Sequence, residues 1–175
     1  MKMYHATTPA NARDILASGL KAGTEESAYT DEHAAWADQF YGIRPIFLSV
    51  QKGKYAGIPL LVDVSGPELV ADLAGLADLG DQPPYMEDGE MVWEDGIGPP
   101  ELSSISSDGA ISIADLLAPG SESVKAAIAA TGTAAVLQDI PSERIKIARY
   151  DESMQCSASL LREFIQSLVK HGLKP

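Results

Sequence analysis

The sequence predicts a single α+β domain, and three observations carry that expectation. Two short runs rich in β-formers, 45–50 and 59–64, sit among segments with helix start and stop signals. Residues 157–172 close the chain with an apolar stripe at helical spacing. The 175 residues are 45% hydrophobic, which suits one core spanning 1–175.

Lys2 to Ala6 alternates in character and reads as the first strand. Thr7-Thr8-Pro9 follows, where a threonine caps a helix that begins on the proline. That helix sets Ala12, Ile15 and Leu16 on one face and stops at Gly19, after which Leu20 packs back. A second helix is expected from Thr30 or Asp31 to about Tyr41, ended by Gly42 and carrying Ala35, Trp36 and Phe40. The strands 45–50 and 59–64 are separated by a turn-prone stretch, 51–57. From 73 to 120 periodicity fades and Gly, Pro, Asp and Ser accumulate, so this interval reads as a long acidic loop with one short helix near Ile111 to Leu117. Ser121 or Ser123 starts a further helix that Gly132 ends, and strands follow at 133–137 and 145–148 around a turn at 140–144. In the last helix Leu160, Leu161, Phe164, Ile165, Leu168 and Val169 form the apolar stripe.

Charge and composition narrow the functional classes. The net charge is −12, and no Lys or Arg occurs between Lys54 and Lys125, so the middle of the chain is expected to be anionic. Such a surface repels phosphate backbones and favours neutral small molecules or basic proteins over nucleic acid. No run is long and apolar enough for a membrane span or a leader, and the expected location is cytoplasmic. The lone Cys156 has no disulfide partner and no matching ligand set for structural zinc. Walker-type Gly-Lys loops and His-Glu-x-x-His are absent, and Ser49 has no Gly-x-Ser-x-Gly setting for hydrolase chemistry.

Among three histidines, His5 stands out by position. It ends a strand just before a helix N-terminus, where free backbone N–H groups can hold a phosphate-bearing ligand. His33 and His171 fall on helices and read as surface residues.

Tyr4-His5-Ala6-Thr7, followed by Asn11-Ala12 and Ile15-Leu16-x-x-Gly19-Leu20, resembles the opening of ADP-ribosyltransferase-like proteins and RNA 2′-phosphotransferases, with Ala6 in place of the usual glycine. Pro45-Ile46-Phe47-Leu48-Ser49 and Leu60-Leu61-Val62-Asp63-Val64 look like the second and third strands of that superfamily. The stretch from Thr133 through Ile140-Pro141-Ser142-Glu143-Arg144-Ile145 is similar to its closing strand and turn.

The resemblance implies a split, mostly antiparallel sheet with flanking helices and NAD, as substrate, held in a cleft. It implies that His5 contacts a ribose hydroxyl, that Ala6 and Thr7 shape the loop beside it, and that Ser49, Phe47 and a tyrosine, Tyr29 or Tyr41, line the nicotinamide pocket. Transfer chemistry in this superfamily uses a glutamate, because breaking the nicotinamide–ribose bond develops positive charge on the sugar. By strand order that residue falls near Thr133 or Ala134, where this chain has no carboxylate. Glu143 lies on the following turn, and the acidic middle offers Glu87, Glu90, Glu94 and Asp95, of which Glu90 is taken, with His5 and Ser49, as a catalytic candidate. Arg13 and Arg44 are the phosphate-gripping candidates, with Arg13 read as solvated. The expected activity is ADP-ribose transfer from NAD, with release of nicotinamide, to an unidentified acceptor, for which a basic protein surface would suit the anionic middle. The alternative is a non-catalytic binding protein that engages a basic partner through its acidic interval.

Overall fold

The computed structural model describes residues 1–23, 40–79, 84–93, 99–106 and 109–172. In chain order the elements are β1 (Lys2–Thr7), α1 (Pro9–Ser18), β2 (Ile46–Ser49), β3 (Ile58–Asp63), β4 (Leu69–Ala71), α2 (Leu73–Ala77), β5 (Tyr85–Glu87), β6 (Glu90–Val92) and β7 (Ala110–Ser112). They continue with α3 (Ile113–Leu116), α4 (Glu122–Thr131), β8 (Thr133–Val136), β9 (Ile145–Ile147) and α5 (Ala158–Lys170). The class is α+β, and every strand pairing described below is antiparallel. The chain divides into two compact units, Met1–Lys21 with Leu48–Val64 and Gln138–Pro175, and Ala22–Phe47 with Ser65–Leu137.

In the first unit β1 pairs with β3 along its whole length, from Lys2 opposite Asp63 to Thr7 opposite Ile58. β9 adds to the far side of β3, and the end of β2 adds to β1 with Ser49 opposite Tyr4. Because side chains alternate across a strand, Met3, His5 and Thr7 share a face with Val62, Leu60 and Ile58. That is the buried face: Met3, Ile58, Leu60 and Val62 are wholly inaccessible, each such side chain contributing roughly 1.5–3 kcal/mol of burial. The helix α1 packs against β3 and β9.

The entry into α1 follows its capping chemistry. The Thr8 hydroxyl accepts the Asn11 N–H at 3.3 Å, Pro9 occupies the first turn, and Gly19 closes the helix with φ of 88°. Leu20 then exchanges two backbone hydrogen bonds of 2.9 Å with Ile140. A Cβ on Gly19 would meet the Ile140 carbonyl oxygen at 2.4 Å, so only glycine fits this close crossing.

The loops 51–57 and 151–155 of the same unit are tied together. Lys52 Nζ lies 2.7 Å from Asp151, Gln155 Nε2 donates to the Lys54 carbonyl at 3.2 Å, and Asp151 accepts from the Ser153 hydroxyl and, at 3.0 Å, from its N–H. These donors, Lys52 first, hold the Asp151 carboxyl below the ordinary aspartate range. The helix α5, capped by Ser157, buries Leu161, Phe164 and Leu168 but leaves Leu160 and Val169 exposed. The expected six-residue stripe is therefore narrower in the structure. At about 100° per residue, Leu160 and Val169 lie roughly 100° and 80° to either side of Leu161, beyond the arc that contact covers.

In the second unit β4 pairs with β8, Leu69 opposite Val136 and Ala71 opposite Ala134. The helix α4, capped by the Ser121 hydroxyl and ended by left-handed Gly132, packs on both strands and on α2 and α3. Phe40 and Tyr41 are helical and precede Gly42, which has φ of 68°, matching the expected end of the second helix. The rest of that expected helix, with His33, Ala35 and Trp36, lies outside the described residues, as does Tyr29 before it.

The interval 73–120 corrects the sequence expectation. Instead of a long loop with one short helix, its described residues hold α2, a three-stranded meander in the order β5-β6-β7, a 3-10 turn at Pro100–Leu102, and α3. The strands are only three residues long, too short to print a period of two on the sequence. Asp88 and Gly89 join β5 to β6 with φ of 50° and 85°, a type I′ hairpin that Asp-Gly favours. Met91, Trp93, Leu102, Ile111 and Leu116 from this interval enter one core with Tyr41, Leu73 and Ala127.

Two outcomes are expected. Gly19→Ala should lose about 2–4 kcal/mol in urea unfolding, since the backbone conformation is strained for any side chain and the Ile140 carbonyl must move. Asp151, with its folded pKa depressed, contributes stability that is full above about pH 4 and is lost as pH falls through its folded value. Acid titration followed by amide exchange should therefore show the 51–57 and 151–155 loops better protected in the wild type than in Asp151→Asn above that range, with the difference disappearing as pH falls through it.

Candidate functional site

The His5-Ala6-Thr7 segment is built by pairing and capping together. β1 lies between β2 and β3, with His5 opposite Leu60 and Ala6 opposite Pro59, and the chain passes directly into the Thr8 cap of α1. His5, Ala6 and Thr7 are all half-buried, on a strand whose earlier residue on the same face, Met3, is fully buried. The histidine thus sits where the buried face of the first unit gives way toward the start of a ten-residue helix.

Ser49 takes a different place. Only 1% exposed, its hydroxyl accepts the Gln51 N–H at 3.0 Å and shapes the turn after β2. Its register opposite Tyr4 sends its side chain to the face that Tyr4 shares, whereas His5 leaves from the other face. The ladder therefore separates the Ser49 and His5 side chains instead of pairing them.

Tyr41 and Phe47 belong to the second unit. The Tyr41 hydroxyl donates to the Ala71 carbonyl at 2.9 Å and accepts the Leu73 N–H at 2.8 Å, and its ring meets Phe47 edge-on with centroids 6.3 Å apart. Both hydrogen-bonding roles of the hydroxyl are thus used by backbone at the β4–α2 junction. Phe47 is half-buried against the core of that unit.

The carboxylate candidates are spread over several elements. Glu87 and Glu90 are exposed on facing residues of β5 and β6, and Glu143 is exposed in the 3-10 turn Ser142–Arg144. Glu94 and Asp95, like Tyr29, lie outside the described residues. β8, where strand order sets the superfamily's glutamate, is Thr-Ala-Ala-Val and fully buried. Arg13 differs from its expected solvated place, being half-buried with a guanidinium nitrogen 3.2 Å from the Ser167 hydroxyl and its buried Nε unpartnered among the described residues. Arg44 is half-buried. His171 is exposed just after α5, and its Nδ1 donates to the Ser167 carbonyl at 2.7 Å. Cys156 is buried, and burial pushes its thiol up, which works against a thiolate nucleophile at neutral pH.

Besides Ser49, two polar residues are buried among the described residues, Thr133 of β8 and Asp72, which the sequence expectation does not include. Asp72 is 3% exposed and caps α2, accepting the Gly75 N–H at 3.0 Å, while the buried Thr133 hydroxyl has no hydrogen-bond partner among the described residues. An aspartate before the short apolar run Leu73-Ala74-Gly75-Leu76 was the available signal for the cap. Comparison with protein-family models, with curated proteins and with solved structures gave no match. Among the described residues, no group of three or more His, Cys, Asp or Glu could hold a metal ion, and no helix is long and apolar enough to cross a membrane.

Tyr41→Phe is expected to lower unfolding free energy by about 1–3 kcal/mol, because it leaves the buried Ala71 carbonyl without its donor and the Leu73 N–H without its acceptor. Denaturant titration measures this, and an unchanged midpoint would show the hydroxyl to be dispensable at the junction.

Proposed function

We propose that this protein is an ADP-ribosyltransferase-like enzyme that binds NAD at the His5-Ala6-Thr7 segment and transfers ADP-ribose to an acceptor. The observation that supports this reading is the placement of a half-buried histidine on a strand paired on both sides and leading straight into a capped helix. In such a setting the imidazole orients a ribose hydroxyl, and since Pro9 has no N–H and the Asn11 N–H goes to Thr8, the Ala10 N–H is the first-turn donor offered to a phosphate oxygen. In the transfer step the bond between ribose C1′ and the nicotinamide nitrogen breaks, its electron pair leaving with nicotinamide. The acceptor nucleophile then bonds to C1′ and gives up its proton. A carboxylate stabilises the cationic sugar between these events.

A second reading, a non-catalytic binding protein that engages a basic partner through the acidic interval, draws on one specific observation. β8 carries no carboxylate, and all four of its residues are buried.

Calorimetric titration of NAD with nicotinamide release followed in the same samples separates the two. The transferase reading expects binding and release by wild type, and at least about tenfold weaker binding by His5→Ala with release falling in parallel. Absence of NAD binding by wild type would sink it. Binding without release would leave the cleft but remove the chemistry.

A further inference from the structure

We infer that the outward face of the β5-β6-β7 sheet docks an extended, Lys/Arg-bearing segment of a partner protein; this rests on the second reading above and gives it a location and a partner chemistry. The meander has two unlike faces. Met86, Met91 and Ile111 point inward, with Met91 and Ile111 no more than 1% exposed in the core of the second unit. The opposite face carries two cross-strand rows set by the register. Tyr85, Val92 and Ala110 form an apolar row, and Glu87, Glu90 and Ser112 form a polar row beside it.

Charge on this face is uncompensated. Glu87 stands directly opposite Glu90, with Asp88 in the turn between them, and none of the three carboxylates has an ion pair or hydrogen bond among the described residues. Like charges directly opposite on one sheet face repel. The sequence supplies no nearby relief, since residues 55–124 contain neither Lys nor Arg. Tyr85 adds a 43% exposed aromatic ring at the end of the neighbouring row.

The two rows specify the occupant. A cationic head between Glu87 and Glu90 relieves their repulsion, and its aliphatic stem or guanidinium plane lies over Tyr85 and Val92. Successive residues of an extended chain alternate sides, so a segment with basic residues at every second position presents them all to this face. Nucleic acid is disfavoured by the same carboxylates.

The test is fluorescence anisotropy with a short labelled peptide of alternating Lys and Thr, against a peptide with Gln for Lys, at about 150 mM salt. Wild type is expected to bind the Lys peptide and not the Gln peptide. Glu87→Lys and Tyr85→Ala should each weaken binding, the former by about tenfold or more. Glu152→Lys makes the same change in net charge at an exposed residue of the first unit and should alter affinity by about twofold at most. Glu87→Lys should also melt no lower than wild type, because it turns a repulsive pair into an attractive one. Equal loss in Glu87→Lys and Glu152→Lys would overturn the proposal by showing only the field of net charge, and so would equal binding of the two peptides or none. His5→Ala, which the transferase reading expects to lose NAD, should retain the peptide, so failure of either reading shows separately.

Discussion

The six-residue ladder between β1 and β3 is the constraint on which the first unit depends. It fixes which side chains are buried, and by leaving β1 at its far end it sets the point where α1 must start. A ladder of this length with one buried face has a strongly specified register. Met3, Ile58, Leu60 and Val62 hold that register by burial, and His5 inherits its position from them without contributing to the choice.

The punctuation of this unit was legible in the sequence because it is chemical and local. Thr8 before Pro9 and Gly19 after Ser18 each act on their own neighbours, and each appears in the structure where the residue type placed it. Ser121 and Gly132 do the same in the second unit. The meander was not legible, since three-residue strands depend on partners a turn or a helix away, and only Asp88-Gly89 marked the hairpin locally. Side-chain pairing was equally hidden. His5 and Ser49 both fall on expected strands, yet their faces follow from the pairing of Ser49 with Tyr4, which no spacing along the chain encodes.

The second unit shows how aromatic residues that look free in sequence become structural. Tyr41 adjoins Gly42, a helix end that suits a ligand-facing ring, but its hydroxyl joins the carbonyl of β4 to the first amide of α2. The strand cannot continue past Ala71 because the chain turns into a helix, and the turning point needs partners for both groups. Tyr41 serves the residues on either side of Asp72, while the Asp72 carboxylate serves the helix that follows.

The alternation along β1 has an evolutionary corollary. A substitution at His5 changes one side chain, whereas insertion or deletion of one residue between Met3 and Thr7 would turn the strand over and exchange its interior for its exterior. Descent of this protein from its ancestors should therefore have preserved the spacing of β1 more strictly than its residue identities, so that distance along the strand, counted from Met3, is the heritable quantity.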